Sequence, residues 1–103
     1  MKSVTVKRSE WLRGTGEGSG LFVNGKRCCL GFAVQQLCNK DDNYLAPILT
    51  PYKEDWESMT GNPYKHVTTL VLINDRPSIS DTTREALIIE SGRETGLEFS
   101  FVD

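Results

Sequence analysis

The segment Gly25–Cys38 constrains the fold of this chain more than any other. It contains all three cysteines of the protein, two of them adjacent. The pair Asn24-Gly25 at the start of this segment is a strong hairpin signal, because both central positions of a tight hairpin turn need a positive φ. The residues after the turn are apolar at helical spacing. We therefore predict a hairpin near 21–29 that leads directly into a helix from Leu30 to about Asn39.

Both ends of the chain show the alternation of a half-buried strand. Val4 and Val6 alternate with polar residues near the N-terminus, and Leu97, Phe99 and Phe101 do so near the C-terminus. We expect these two strands to pair with each other. Phe99 and Phe101 should then be buried in the core.

Two further helices are expected between the ends. The first begins at Pro51 and is stopped by Gly61-Asn62-Pro63. The second follows the N-cap Ser80 and runs to about Thr95, with Gly96 as its C-terminal cap. The segment 66–73 stays open: five of its eight residues are β-branched, which favours a strand, but a buried helix has the same apolar pattern.

These elements add up to one domain over residues 1–103. We expect an α+β fold with a small, mostly antiparallel sheet and about three helices on one face. The stretch 14–20 holds four glycines in seven residues. It is predicted to be a mobile loop, because it lacks the strand–loop–helix context of a phosphate-binding motif.

Charge and hydropathy narrow the class of partner. The formal net charge is −2, and no basic block supports broad contact with nucleic acid. No run approaches the ~18 apolar residues of a membrane span. The odd number of cysteines indicates reduced thiols in a cytoplasmic protein.

Three pieces of the chain resemble, in this order, a group of small bacteriophage-encoded proteins of unassigned function. They are Ser9–Gly14, Gly25–Phe32, and Ile73–Asp81 with the tail Glu98–Asp103. The resemblance implies a phage or prophage origin and a host-cytoplasmic setting. It also favours a helix before Asn74, because that segment is usually helical in those proteins.

Cys29–Val34 also resembles the start of the catalytic helix in NlpC-type cysteine peptidases, and His66 resembles the histidine on their facing strand. A thiol at a helix start and a nearby imidazole can form a thiolate–imidazolium pair. The resemblance thus implies a cysteine hydrolase that uses Cys29 and His66. The alternative is a structural thiol and an unrelated surface histidine.

The cysteine pattern predicts neither a metal site nor a cofactor. Cys28, Cys29, Cys38 and His66 lack the Cys-x-x-Cys spacing of zinc ligands. Adjacent residues point in different directions on a helix or a strand. We therefore expect one of Cys28 and Cys29 to be buried against Leu37 and the sheet and the other to face a rim or solvent, with no internal disulfide.

Binding is the leading functional hypothesis. The residues that we select for a binding surface are aromatic or lie at a polar turn: Trp11, Tyr44, Tyr52, Tyr64, Asn74 and Asp75. The expected partner is a host protein or a small signalling molecule, with counter-defence as one role that the phage resemblance implies. The alternatives are the cysteine hydrolase and a structural homo-oligomer. Asn74-Asp75 has a simpler explanation as turn punctuation.

Overall fold

The computed structural model of the protein describes residues 1–16, 20–62, 64 and 66–103. Within them lie four strands and five helices. The strands are β1 (Lys2–Lys7), β2 (Phe22–Val23), β3 (Lys26–Arg27) and β4 (Leu97–Val102), and the helices are α1 (Cys29–Leu37), α2 (Asp42–Leu45), α3 (Lys53–Thr60), α4 (Val67–Asp75) and α5 (Asp81–Thr95). The predicted loop 14–20 falls partly on residues 17–19, and the predicted helix stop partly on Pro63, which lie outside the described residues.

The expectation of a mostly antiparallel sheet is wrong. The N- and C-terminal strands do pair, but β1 and β4 run parallel, in register from Lys2 opposite Leu97 to Lys7 opposite Val102. The only antiparallel ladder in the described part of the chain is the short β2–β3 hairpin. Alternation fixes which side chains face inward but not the direction of a strand. Parallel pairing needs a long crossover, which the five helices between β1 and β4 supply.

One face of the β1–β4 sheet forms part of the core. Val4, Val6, Leu97 and Phe99 are buried there, while Phe101 is only half-buried and packs on the Trp11 ring at a centroid distance of 4.8 Å. Helix α5 approaches the sheet so closely that a Cβ on Gly92 would overlap the Phe99 ring. The close approach explains a glycine in the middle of this helix.

The outer edge of β1 is covered by a side chain rather than by a strand. The Gln36 amide accepts a hydrogen bond from the Thr5 backbone N–H at 2.9 Å and donates one to the Thr5 carbonyl at 2.7 Å. It therefore fills the place of one residue of a neighbouring strand. Such cover protects an exposed edge from pairing with other chains.

The hairpin and the following helix are confirmed. β2 and β3 flank Asn24-Gly25, both with positive φ, and α1 begins at Cys29. A Cβ on Gly31 would overlap the Leu21 carbonyl oxygen. The glycine in the first turn of α1 thus lets the helix lie directly on the chain that enters the hairpin.

The segment 66–73 belongs to a helix, α4, despite its β-branched residues. Val67, Leu70 and Ile73 are buried on one face of α4, and Thr68 and Thr69 are exposed. Burial at the i, i+3 and i+6 positions outweighs a local preference of a few tenths of a kcal/mol per residue. The count of about three helices was therefore low by α4 and the single-turn α2.

Candidate functional site

Both adjacent thiols lie in the protein interior. Cys28 is 5% exposed and Cys29 is 0% exposed, so the expectation that one of them faces solvent is wrong. Cys28 is the N-cap of α1, and its Sγ curls back to accept a hydrogen bond from the Gly31 N–H at 3.4 Å. This capping contact turns the Cys28 side chain inward, so that it is buried like the neighbouring Cys29 side chain.

The environment of the two thiols favours the neutral form. Burial raises the pKa of Cys28 to about 12, against the smaller lowering effect of the N–H groups at the start of α1. Burial likewise raises the pKa of Cys29 well above its ordinary value, and the neighbouring Cys28 adds to the rise. Desolvation therefore outweighs the helix-terminus effect that would favour a nucleophilic thiolate.

His66 does not complete a catalytic pair with Cys29. It is exposed and precedes α4 with a left-handed φ of 65°. Cys29 contacts the other end of α4, where its N–H donates to Asn74 Oδ1 at 3.1 Å. Eight residues separate His66 from Asn74, which is about 12 Å along a helix axis. The exposed imidazole and the buried thiol thus lie toward opposite ends of α4.

Asn74 joins three separate parts of the chain through its side-chain amide. Its Oδ1 accepts from Trp11 Nε1 at 2.8 Å as well as from the Cys29 N–H, and its Nδ2 donates to the Leu12 carbonyl at 2.9 Å and to Asp75 Oδ1 at 3.0 Å. We call Trp11, Leu12, Cys29, Asn74 and Asp75 the Asn74 cluster. Asn74 is 1% exposed, and every bond that its amide can make is made inside the protein.

The loop after α4 is hydrogen-bonded to the buried side chain of Arg84. Arg84 is 3% exposed and donates to the carbonyls of Ile73, Asn74, Arg76 and Ile79. Carbonyls at the end of a helix lack partners within the helix, and the Arg84 guanidinium provides them. The segment Ile73–Asp81 is therefore held together by hydrogen bonds to Arg84. Sequence reasoning missed Arg84, because an arginine inside a polar helix gives no local signal.

The structure brings Tyr44 and Tyr52 together at the surface. Their rings meet edge to face with a centroid distance of 6.0 Å and an interplanar angle of 85°. The Tyr44 hydroxyl donates to Asp55 Oδ2 at 2.6 Å, and this bond raises the pKa of Tyr44 to about 12. On the ring of Tyr44 lies the ammonium group of Lys40, 4.7 Å from the centroid.

Tyr64 lies beside the same segment. Its hydroxyl donates to the Pro51 carbonyl at 2.6 Å, and its ring meets Trp56 edge to face at 6.4 Å. Leu49 precedes Pro51 and is 63% exposed, Tyr52 is 51% exposed and Tyr64 is 38% exposed. We call Tyr44, Leu49, Tyr52 and Tyr64 the tyrosine surface.

The structure thus separates the six residues predicted to bind. Tyr44, Tyr52 and Tyr64 lie on one surface, while Trp11, Asn74 and Asp75 are buried in the Asn74 cluster. Sequence reasoning missed Leu49 as part of that surface, and it missed the contacts of Lys40 and the buried Asp55 with Tyr44. The sequence gives no signal for Leu49, because its apolar neighbour Ile48 lies between the same two prolines and is only 4% exposed.

In residues 1–16, 20–62, 64 and 66–103, no group of three or more His, Cys, Asp or Glu side chains is arranged to hold a metal ion. No helix within those ranges has both the length and the apolar character needed to cross a bilayer. Cys28, Cys29 and Cys38 are all free thiols.

No protein-family model, no curated protein and no solved structure matches this chain.

Proposed function

We propose that this protein is a non-enzymatic binding protein that docks a partner protein on its tyrosine surface. The observation that carries the proposal is the exposure of Leu49, Tyr52 and Tyr64, with the Tyr64 hydroxyl bonded to the carbonyl of Pro51, which lies between the other two in the sequence. Tyrosine supplies a large contact area with a polar end, and it is enriched where proteins bind one another.

The exposed rings are also held in place before a partner arrives. Tyr64 is tied to the Pro51 carbonyl, and Tyr52 is braced by the Tyr44 ring, which is itself tied to Asp55. Side chains that are already ordered lose less conformational entropy when they bind. This rigidity distinguishes the tyrosine surface from apolar side chains that are exposed singly.

The shape of the surface favours a protein over a small molecule. Small ligands bind in concave sites that enclose most of their area. Leu49 and Tyr52 instead present more than half of their side chains to solvent. Such side chains fit into a groove or against a face of a larger partner, so a host protein is a better candidate than a signalling molecule.

The biological setting of the proposal comes from the sequence. The phage resemblance of Ser9–Gly14, Gly25–Phe32 and Ile73–Asp81 supports a role inside an infected bacterium, with the partner a protein of the host cytoplasm. Counter-defence is one outcome of such binding. The geometry around Cys29 gives no support to the hydrolase, since the thiol is buried and its pKa is raised.

A matched pair of variants tests the proposal. Leu49→Ser removes an apolar side chain from the tyrosine surface, and Val102→Ser removes one that is 43% exposed on β4. Each tagged protein is incubated with bacterial lysate, and retained proteins are quantified by mass spectrometry. We expect a specific host protein to be retained by the parent and by Val102→Ser but lost from Leu49→Ser. Equal retention by all three would contradict the proposal.

Self-association is the remaining alternative, and sedimentation addresses it. If the tyrosine surface binds a second copy, the parent protein sediments as a dimer and Leu49→Ser as a monomer. A monomeric parent at micromolar concentration leaves a different protein as the partner, as we propose.

A further inference from the structure

One ring of the tyrosine surface holds a positively charged group, and this contact suggests the chemistry of the partner. Lys40 follows Asn39, whose φ of 55° turns the chain after α1. Its ammonium group lies over the Tyr44 ring at 4.7 Å from the centroid. A cation over the face of an aromatic ring is attracted by the negative charge of that face.

The neighbouring groups make this ring a better cation site than an isolated tyrosine. Tyr52 stands edge-on to Tyr44 at an interplanar angle of 85°, so the two rings form a corner rather than a flat surface. The Asp55 carboxylate accepts from the Tyr44 hydroxyl at 2.6 Å. Its negative charge polarises that hydroxyl and makes the ring more electron-rich.

The charge of the surrounding segment favours a basic partner. Residues 40–57 carry five acidic side chains and two lysines. Asp42 is paired with the Arg27 guanidinium and Asp55 is buried, which leaves three exposed carboxylates, those of Asp41, Glu54 and Glu57, against two ammonium groups. An excess of exposed acidic side chains in the segment that carries the aromatic residues is complementary to a basic segment.

We propose that the partner presents a basic segment whose arginine takes the place of Lys40 on the Tyr44 ring, in the corner formed with Tyr52. The inference rests on the proposed function and assigns its binding chemistry. An arginine suits the corner better than a lysine, because a planar guanidinium stacks on one ring while its N–H groups reach nearby carboxylates. Lys40 then acts as an internal competitor that the incoming cation displaces.

Competition predicts a difference between two lysine variants. Lys40→Gln vacates the Tyr44 ring, whereas Lys53→Gln removes the same charge from the neighbouring helix α3 and leaves the ring occupied. The probes are fluorescein-labelled peptides of equal length that alternate glycine with arginine, with lysine or with glutamate. Affinity is measured by fluorescence anisotropy at physiological ionic strength, which screens long-range attraction.

We expect the arginine peptide to bind more tightly than the lysine peptide, and the glutamate peptide not to bind. Lys40→Gln should tighten arginine-peptide binding about three-fold more than Lys53→Gln does, which matches the strength of one exposed cation–π contact. Tyr52→Leu should weaken binding. In NMR spectra of the parent protein, the ring protons of Tyr44 and Tyr52 should shift on titration with the arginine peptide.

Equal effects of Lys40→Gln and Lys53→Gln would overturn the inference, since net charge alone would then explain the binding. Unshifted Tyr44 ring protons would overturn it as well. These results are distinguishable from failure of the proposed function. If Leu49→Ser loses its host protein while the two lysine variants behave alike, the tyrosine surface binds a partner without a cation on the Tyr44 ring. If Leu49→Ser also changes nothing, both proposals are wrong.

Discussion

The Asn74 cluster and the tyrosine surface use similar side chains in opposite ways. In the cluster, the Trp11 indole N–H is paired with Asn74 inside the core. At the surface, the Tyr44 and Tyr64 hydroxyls are paired with Asp55 and the Pro51 carbonyl, but their rings remain near solvent. In the first arrangement, the polar group of the aromatic residue is hydrogen-bonded and its apolar ring is buried, so neither is free to bind a partner. The second fixes the ring in position and leaves part of it in contact with solvent.

This difference separates sequence features that maintain the fold from those that remain free to bind. The adjacent cysteines and Asn74-Asp75 look chemical in the sequence, yet all four residues are buried. Tyr52 and Tyr64 lie outside the helices and strands and belong to no motif, yet among the described residues theirs are the exposed aromatic rings. Substitutions in the two regions should therefore affect different properties of the protein.

The largest effect is expected from Asn74→Ala. The change leaves the Trp11 indole N–H and the Cys29 backbone N–H buried without their acceptor, and each such loss costs about 1–3 kcal/mol. The free energy of unfolding, measured in urea, should fall by about 4 kcal/mol. Asn43→Ala, at an exposed position, is the control and should change it by under about 0.5 kcal/mol. A mild effect of Asn74→Ala would mean that the cluster does not hold the three segments together.

A smaller loss is expected from Cys29→Ser. The hydroxyl is placed where the thiol is 0% exposed, and a poorly paired buried hydroxyl costs about 2 kcal/mol. Thermal unfolding should show a lower melting temperature, with less change for Cys38→Ser because Cys38 is only half-buried. An unchanged melting temperature together with a lost biological effect would assign Cys29 to chemistry instead of packing.

Tyr44→Phe tests the bond that fixes the tyrosine surface. Losing the hydroxyl bond to Asp55 should cost about 1 kcal/mol. The folded protein raises the pKa of Tyr44 from 10.0 to about 12. The stabilisation is therefore fully present below pH 10.0 and is lost as the pH rises toward about 12. Unfolding measured across this window should show the stability gap between parent and Tyr44→Phe closing; a constant gap would contradict the role of Asp55.

The smallest effect on stability is expected for a substitution at an exposed residue of the tyrosine surface. Tyr52→Ala should lower the free energy of unfolding by under about 1 kcal/mol, because half of the side chain is already in solvent, at 51% exposed. Calorimetry on parent and variant provides the measurement. A loss comparable to that of Asn74→Ala would place Tyr52 in the core and remove the distinction between the two regions.

The local structure of this protein could be predicted well from its sequence, but its long-range structure could not. The Asn24-Gly25 hairpin, the Ser80 cap and the pairing of the two ends were all predictable, because turns, caps and alternation are encoded by neighbouring residues. The parallel direction of β1 and β4 was not, since it depends on where the helices between them return the chain. Nor were the bonds of Asn74 and Arg84, which join residues far apart in sequence.

The candidate site follows the same division. Tyr52 and Tyr64 could be selected because tyrosine in irregular segments is often exposed, whereas Tyr44, selected on the same ground, lies in α2 and is half-buried. Their meeting around residues 50–52 and the placement of Lys40 on Tyr44 depend on how α1 and α3 pack. The thiols show the reverse error: a helix start favours thiolate in isolation, and only the complete core reveals the desolvation that outweighs it.

Alkylation of the native protein by iodoacetamide near neutral pH, followed residue by residue with mass spectrometry, tests the central distinction most directly. We predict that Cys38 reacts first, and that Cys28 and Cys29 react at one shared slow rate set by opening of the fold. His66→Ala should leave that rate unchanged. Rapid labelling of Cys29 that is lost in His66→Ala would contradict this account, because it would show a reactive thiolate where the structure has a buried, neutral thiol.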